Sequence, residues 1–228
     1  MLKAGYRNAR QWSNQELRKV APFCSGKVLN VSAWRDCDKE GGTYENEYFP
    51  HASEYWITNW KSGARGFQGD LPHEIFLDLE QELPANLINC YDVVFNHTTL
   101  EHVFDVFKAF ENLCALSRDV VIVVVPFLQE QHGTYGDYWR FTPWAVKRLF
   151  IRYGLEAAYM NFNDGPKGDI YVFGVGARNK ESVRWLSAIE GNKADLIEQT
   201  IIGTQRMDDR SRLYKAMRQI YRKLFRKH

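Results

Sequence analysis

The 228-residue chain contains no Cys-x-x-Cys pair, no internal repeat and no apolar run near the roughly 18–20 residues that a membrane-spanning helix needs. Its four cysteines (Cys24, Cys37, Cys90, Cys114) are scattered, which argues against a zinc knuckle and against a disulfide framework and fits a reducing cytoplasm. The opening residues, MLKAGYRNARQW, lack the apolar centre of a secretion signal. Charge of one sign is also lacking: the net charge is +2, so binding to nucleic acid would need a local basic patch. A further absence is a glycine-rich turn after the first apolar run, where GKVLNVSAWRDCDKEGG offers Ser32, Ala33, Trp34 and Arg35.

What is present is a rhythm of short apolar runs separated by polar or helical segments, within a chain that is 45% hydrophobic and 14% aromatic. KVLNVSA (27–33), EYWITNW (54–60), EIFLDL (74–79), YDVVFN (91–96) and DVVIVVVPF (119–127) read as strands. Their unbroken β-branched and aromatic character predicts parallel strands covered on both faces. VFDVFKAFENLCALS (103–117) has helical apolar spacing, and TPWAVKRLFIRYG (142–154) is a helix capped by Thr142, with Pro143 at its first position and Gly154 past its end. LEAAYMNF (155–162) and DIYVFGVGAR (169–178), joined by NDGPKG, predict a closing antiparallel hairpin. The expected organisation is an N-terminal helical segment (1–23), an α/β domain (24–178) and a helical extension (179–228). That extension ends in a basic amphipathic helix over 208–228, which would dock on its own domain, on a second subunit or on an anionic membrane surface.

Two stretches carry a resemblance. YDVVFNHTTLEHVFDVFKAFENLCALSRDVVIVVVPF, with Asp92 opening the strand and Leu100-Glu101-His102 after it, resembles the central block of class I S-adenosylmethionine-dependent methyltransferases that act on small molecules. HGTYGDYWRFTPWAVKRLF (132–150) resembles the segment after strand five in a bacterial branch associated with polysaccharide or glycolipid modification. The resemblance implies a Rossmann-like α/β fold: a seven-stranded, mostly parallel sheet with an antiparallel C-terminal hairpin and helices on both faces. It also implies a cofactor, S-adenosylmethionine, with S-adenosylhomocysteine as product.

Relatives in that branch read V-L-N-V-G-x-G-x-D-x-D-K-x-G-G-x-Y; this chain keeps Asn30, Asp36, Asp38, Lys39, Gly41, Gly42 and Tyr44 but has Ser32 and Trp34 at the turn glycines. By resemblance, Asn59 stands where an acidic residue takes the ribose hydroxyls, Asp78 and Leu79 where adenine is contacted, and Asn96 and His97 along the methionine moiety, whose ammonium Asp36 would reach. His132 is the expected base for a hydroxyl acceptor, oriented by Asp137 and assisted by His102, while Tyr138, Trp139 and Arg140 would hold the substrate. Some quinone and RNA 2′-O-methyltransferases bind a divalent ion through Glu-x-x-Glu-His. Here the first glutamate is Thr98, so no metal is expected, and Glu101 is expected to face a backbone donor. The resulting expectation is O-methylation of a sugar or glycan precursor. A silent methyltransferase-like binding module and an RNA methyltransferase are the alternatives.

Overall fold

The computed structural model describes residues 9–61, 66–133, 136–163, 169–199 and 202, so the basic helix expected over 208–228 lies outside the described residues. Strands β1 (Gly26–Val31), β2 (Ala52–Asn59), β3 (Glu74–Phe76), β4 (Tyr91–His97), β5 (Ser117–Leu128), β6 (Glu156–Phe162) and β7 (Ile170–Ala177) form one seven-stranded sheet in the order β3-β2-β1-β4-β5-β7-β6. The first five strands are parallel; β7 runs antiparallel to β5 and β6 antiparallel to β7. The predicted sheet, closing hairpin included, is the one observed.

Alternation along β5 explains its uniform apolarity. Val121, Val123 and Val125 belong to a core under α3 (Val106–Leu116) and α4 (Pro143–Arg152), whereas Val120, Ile122 and Val124 belong to a core under α1 (Ala9–Val20) and α2 (Tyr44–Tyr48). With both faces covered, each fully buried valine contributes on the order of 1.5–3 kcal/mol through removal from water. Gly176 of β7 lets Phe150 of α4 lie against the strand, since a Cβ there would run into the phenyl ring.

Most strand ends shift by one or two residues from the sequence reading, and two larger differences bear on the site. β3 ends at Phe76, which leaves Leu77, Asp78 and Leu79 in the connection beyond the strand. The helix expected from 103 starts at Val106, with Asp105 accepting from the Lys108 amide, and Leu100–His102 is a separate 3-10 turn. The indole N–H of Trp139 donates to the carbonyl oxygens of Val103 (3.0 Å) and Phe104 (3.2 Å), which engages acceptors that a helix begun at 103 would use for its own first turn.

Candidate functional site

A cavity of about 1100 Å³ opens beyond the carboxyl ends of β1 to β5, where ligands bind in open α/β sheets. Asn30, Ser32, Trp34, Asn59, Asp78, Leu79, His97, His102, His132 and Tyr138 line it.

The turn after β1 retains a glycine-like backbone without its glycines. Ser32 has φ 59° and Trp34 φ 54°, in the left-handed region that costs an L-residue about 1–2 kcal/mol. Strand β2 holds this conformation. Thr58 accepts from the Ser32 amide through Oγ1 (3.1 Å) and from the Ala33 amide through its carbonyl oxygen (3.1 Å). Asn59 Oδ1 accepts from the Trp34 amide at 2.6 Å, and Asn59 Nδ2 donates to the Trp34 carbonyl at 2.9 Å. The second Nδ2 proton goes to Glu74 Oε1 at 2.7 Å. Both amide protons are therefore committed within the protein. Asn59 touches the cavity, but its role is to clamp the Trp34 peptide, not to receive a ribose as the sequence reading expected.

Asp36 is a second correction. It is buried and does not line the cavity; Oδ1 accepts from Asn30 Nδ2 (2.7 Å) and the Tyr55 hydroxyl (2.7 Å), and Oδ2 accepts from the Glu45 amide (2.9 Å). Burial raises its carboxyl above the ordinary range against the pull of those donors. Its work is to tie β1, β2 and α2 together. Asn96 also lies off the cavity and donates to the Val31 carbonyl at 3.0 Å. On the β3 side, Asp78 lines the cavity with Oδ1 accepting from the Glu80 amide at 2.9 Å. Leu79 lies beside it, with its carbonyl oxygen taken by Asn112.

At the end of β4, a hydrogen-bond circuit runs through a helix that sequence reasoning did not connect to the site. Arg10 donates to Thr98 Oγ1 (2.8 Å), which lies 3.2 Å from His97 Nδ1; His97 Nε2 lies 2.8 Å from Ser13 Oγ, and Ser13 donates to the Arg10 carbonyl (2.9 Å). Because Ser13 gives its proton to that carbonyl, His97 carries its own on Nε2, and the circuit closes with a neutral imidazole. Burial first, then the positive charges of Arg10 and Lys39, hold His97 well below the usual histidine value. Arg10 therefore presents a cation to the cavity beside Thr98. Nothing in the local sequence marks it, since the contact spans 88 positions.

The segment after β5 is anchored on the turn after β4: the amides of Tyr138 and Trp139 donate to the Glu101 carbonyl at 2.7 and 3.3 Å. Asp137 forms a two-pronged pair with Arg140 (2.5 and 2.8 Å), which holds its carboxyl far below the usual range. Arg140 also donates to the carbonyl oxygens of Gln129 and Glu130. Asp137, Trp139 and Arg140 are absent from the cavity wall and shape the loop from behind, so the structure does not bring Trp139 and Arg140 to a substrate. Tyr138 is half exposed on the wall, edge-on to Phe104 at 5.3 Å.

His132 reaches the cavity, with Nδ1 3.2 Å from the Glu130 carbonyl and 3.5 Å from Asp137 Oδ2. Its ring meets that of His102 edge-on, with centroids 5.1 Å apart. His102 Nδ1 lies 2.6 Å from the Gly136 carbonyl, and burial lowers the ring's basicity. Glu101 is 0% exposed, and neither carboxylate oxygen has a hydrogen-bond partner among the described residues. Burial pushes its carboxyl up to about 8, against the opposing pull of its own backbone amide and of the Arg10 and Arg140 charges, none of which makes a well-formed hydrogen bond to it.

No family model matches the chain, and no curated protein matches it by sequence. Solved structures do match its shape. A Burkholderia thailandensis 1,6-didemethyltoxoflavin-N1-methyltransferase, solved with 1,6-didemethyltoxoflavin and S-adenosylhomocysteine, superposes with a TM-score of 0.52 at 14% identity, over 74% of this chain and 77% of that one. The magnesium protoporphyrin IX methyltransferase of Synechocystis, with bound S-adenosylhomocysteine, gives 0.50 at 11% identity, over 75% and 83%. The proposed methyltransferase in complex with the Trm112 methyltransferase activator from Haloferax volcanii gives 0.53 at 13% identity, over 74% and 90%. The chain has the class I methyltransferase fold. Within that fold, the cavity lies at the carboxyl end of the parallel strands, and the Ser32–Trp34 turn follows the first strand.

Proposed function

We propose that this chain is an S-adenosylmethionine-dependent methyltransferase acting on an oxygen of a sugar or glycan precursor. The observation that carries the reading is the turn after β1. Its glycine-like backbone is kept at Ser32 and Trp34, and the cavity opens beside it with both residues in its lining.

The lining suits the cofactor. When bound, S-adenosylmethionine supplies a sulfonium-activated methyl group, which leaves a neutral thioether once an acceptor oxygen has taken the carbon and given up its proton. Asp78 is the acceptor for an exocyclic amine, Leu79 gives an apolar contact for a base, and Arg10 with Thr98 offers donors to a carboxylate. The saturated amide of Asn59 leaves the ribose hydroxyls without the acidic partner of relatives, which favours weaker cofactor binding and supports the silent binding module as the second reading.

The acceptor belongs on the side of His102, His132 and Tyr138. His132 protonated on Nδ1, toward Glu130 and Asp137, leaves Nε2 to take a hydroxyl proton. Tyr138 and Phe104 give an aromatic rim against which the C–H face of a sugar packs.

Calorimetry with S-adenosylhomocysteine tests the first half of the reading, with saturable binding at sub-millimolar ligand as the expected result; no heat in that range sinks it. Transfer of labelled methyl from S-adenosylmethionine to a panel of sugar nucleotides and lipid-linked glycans tests the acceptor class. Labelling confined to protein, RNA or small aromatic acceptors refutes that part.

A further inference from the structure

We propose that Glu101, His102 and His132 bind one divalent first-row transition ion on the acceptor side of the cavity. One ligand atom from each residue falls within a cluster in which all lie within 4.8 Å of one another, and Glu101 Oε1 is 3.8 Å from His102 Nε2. Ligand atoms on a single tetrahedral ion with bonds of about 2.1 Å sit about 3.4 Å apart, so modest closure completes the set. His132 is the ligand able to move, because its ring is half exposed in a loop and Gly133 follows it.

Three independent features point to a cation. First, Glu101 is wholly buried and both its oxygens lack hydrogen-bond partners among the described residues; Arg10 and Arg140 act on it only through their charge, so a ligand in direct contact would satisfy oxygens that they leave unbonded. Second, each imidazole is oriented as metal-bound histidines are. The groups facing Nδ1 of His102 (the Gly136 carbonyl, 2.6 Å) and of His132 (the Glu130 carbonyl, 3.2 Å, and Asp137, 3.5 Å) only accept. Each ring therefore carries its proton on Nδ1 and its lone pair on Nε2. Third, Asp137 is itself held in place by Arg140, which gives His132 a fixed outer partner.

The donor set, two nitrogens and one oxygen, suits zinc, cobalt, manganese or ferrous iron better than magnesium or calcium, which take oxygen ligands in number. It also accounts for the ligand missing from the sequence. Thr98 occupies the position where a second glutamate is expected, and the third donor comes instead from His132, 30 positions beyond His102 in the chain. Three protein ligands leave open positions toward the cavity, where an acceptor hydroxyl could coordinate and become more acidic. That last step rests on the methyl-transfer reading. In the loaded protein the two imidazoles hold the ion, the coordinated hydroxyl is acidified by it, and the proton it releases passes to water in the open cavity instead of to His132.

The test uses the full chain, stripped with a chelator and titrated with cobalt(II) without S-adenosylmethionine. The readouts are d–d absorption in the visible and calorimetric stoichiometry. One ion per chain is expected, displaceable by zinc. Glu101→Gln and His132→Ala should each weaken binding by more than about 100-fold, beyond the usual loss from an outer-shell change. His51→Ala, at an exposed histidine remote in sequence, should leave it unchanged. Absence of stoichiometric binding overturns the proposal, and so does binding that survives His132→Ala, a substitution in an exposed loop that leaves the core intact. If Glu101→Gln fails to fold by thermal melting, His132→Ala alone decides. Cobalt binding without S-adenosylhomocysteine binding would refute the methyltransferase reading and leave the metal site standing; the reverse result would do the opposite.

Discussion

Asn59→Asp introduces the acidic residue that the sequence resemblance leads one to expect at the end of the second strand, and on the sequence alone it should improve a ribose site. The structure reverses that expectation. Asn59 is 1% exposed and donates to the Trp34 carbonyl at 2.9 Å and to Glu74 Oε1 at 2.7 Å. An aspartate supplies neither proton. It would set oxygen against carbonyl oxygen on one side and carboxylate against carboxylate on the other. The lost bond to the neutral carbonyl is worth about 0.5–1.5 kcal/mol and the one to the charged partner about 1.5–3 kcal/mol. Placing two carboxylates side by side adds to this unless they share a proton. A total near 3–5 kcal/mol follows, which for a domain of this size lowers the melting temperature by roughly 6–20 °C.

The assay is a thermal melt of wild type, Asn59→Asp, Glu74→Gln and the double variant near neutral pH. In the double variant the side-chain amide introduced by Glu74→Gln can donate to the new carboxylate, so it should recover a substantial part of the loss, and the two changes should be strongly non-additive. A single Asn59→Asp variant that melts with wild type would refute the reasoning. So would tighter binding of S-adenosylhomocysteine, because it would mean that the amide is free to turn toward the cavity.

Two further predictions concern the same end of the sheet. Ser32→Gly relieves the left-handed strain at φ 59° but gives the unfolded chain more freedom; the balance is a gain of roughly 0.5–1 kcal/mol, measurable by urea denaturation. His97 is neutral in the fold with its basicity well below the ordinary histidine value of 6.5, so below that pH the unfolded chain binds the extra proton and stability falls. The loss grows by up to about 1.4 kcal/mol per pH unit below the unfolded value until the folded value is reached, and it vanishes above about pH 7. His97→Asn should lack this component, so its stability deficit relative to wild type should narrow from about pH 7 to about pH 5; a deficit that stays constant would contradict the assignment.

The sheet was legible because both signals that specify it are local. Apolar runs such as DVVIVVVPF mark strands buried on two faces, and the Thr142-Pro143 start and Gly154 end of α4 are read from neighbours in the chain. A distant indole, Trp139, engages carbonyls that a helix begun at 103 would use, and no local pattern announces that contact. Site residues divide on the same line. His102, His132 and Tyr138 do meet at the cavity, since the loop after β5 is sewn to the Glu101 carbonyl. Asp36 and Asn59, expected to face a ligand, spend their polar atoms on inward hydrogen bonds to partners elsewhere in the chain, and Arg10 escapes sequence reading because its partners lie on another element.

The missing turn glycines after β1 and the amide at the end of β2 are mutually explanatory. Two non-glycine residues in left-handed conformation need external support, and the support comes from the last two residues of β2. Thr58 takes the Ser32 and Ala33 amides, and Asn59 closes a two-bond ring on the Trp34 peptide. Closing that ring requires one acceptor and one donor on the same side chain, with a second donor for Glu74 behind it. An amide meets that requirement and a carboxylate does not, so a tryptophan in the turn and an asparagine in place of the acid form one adaptation. The left-handed backbone survives at Trp34 because its peptide is clamped from β2, and the clamp fixes the residue in the lining of the cavity.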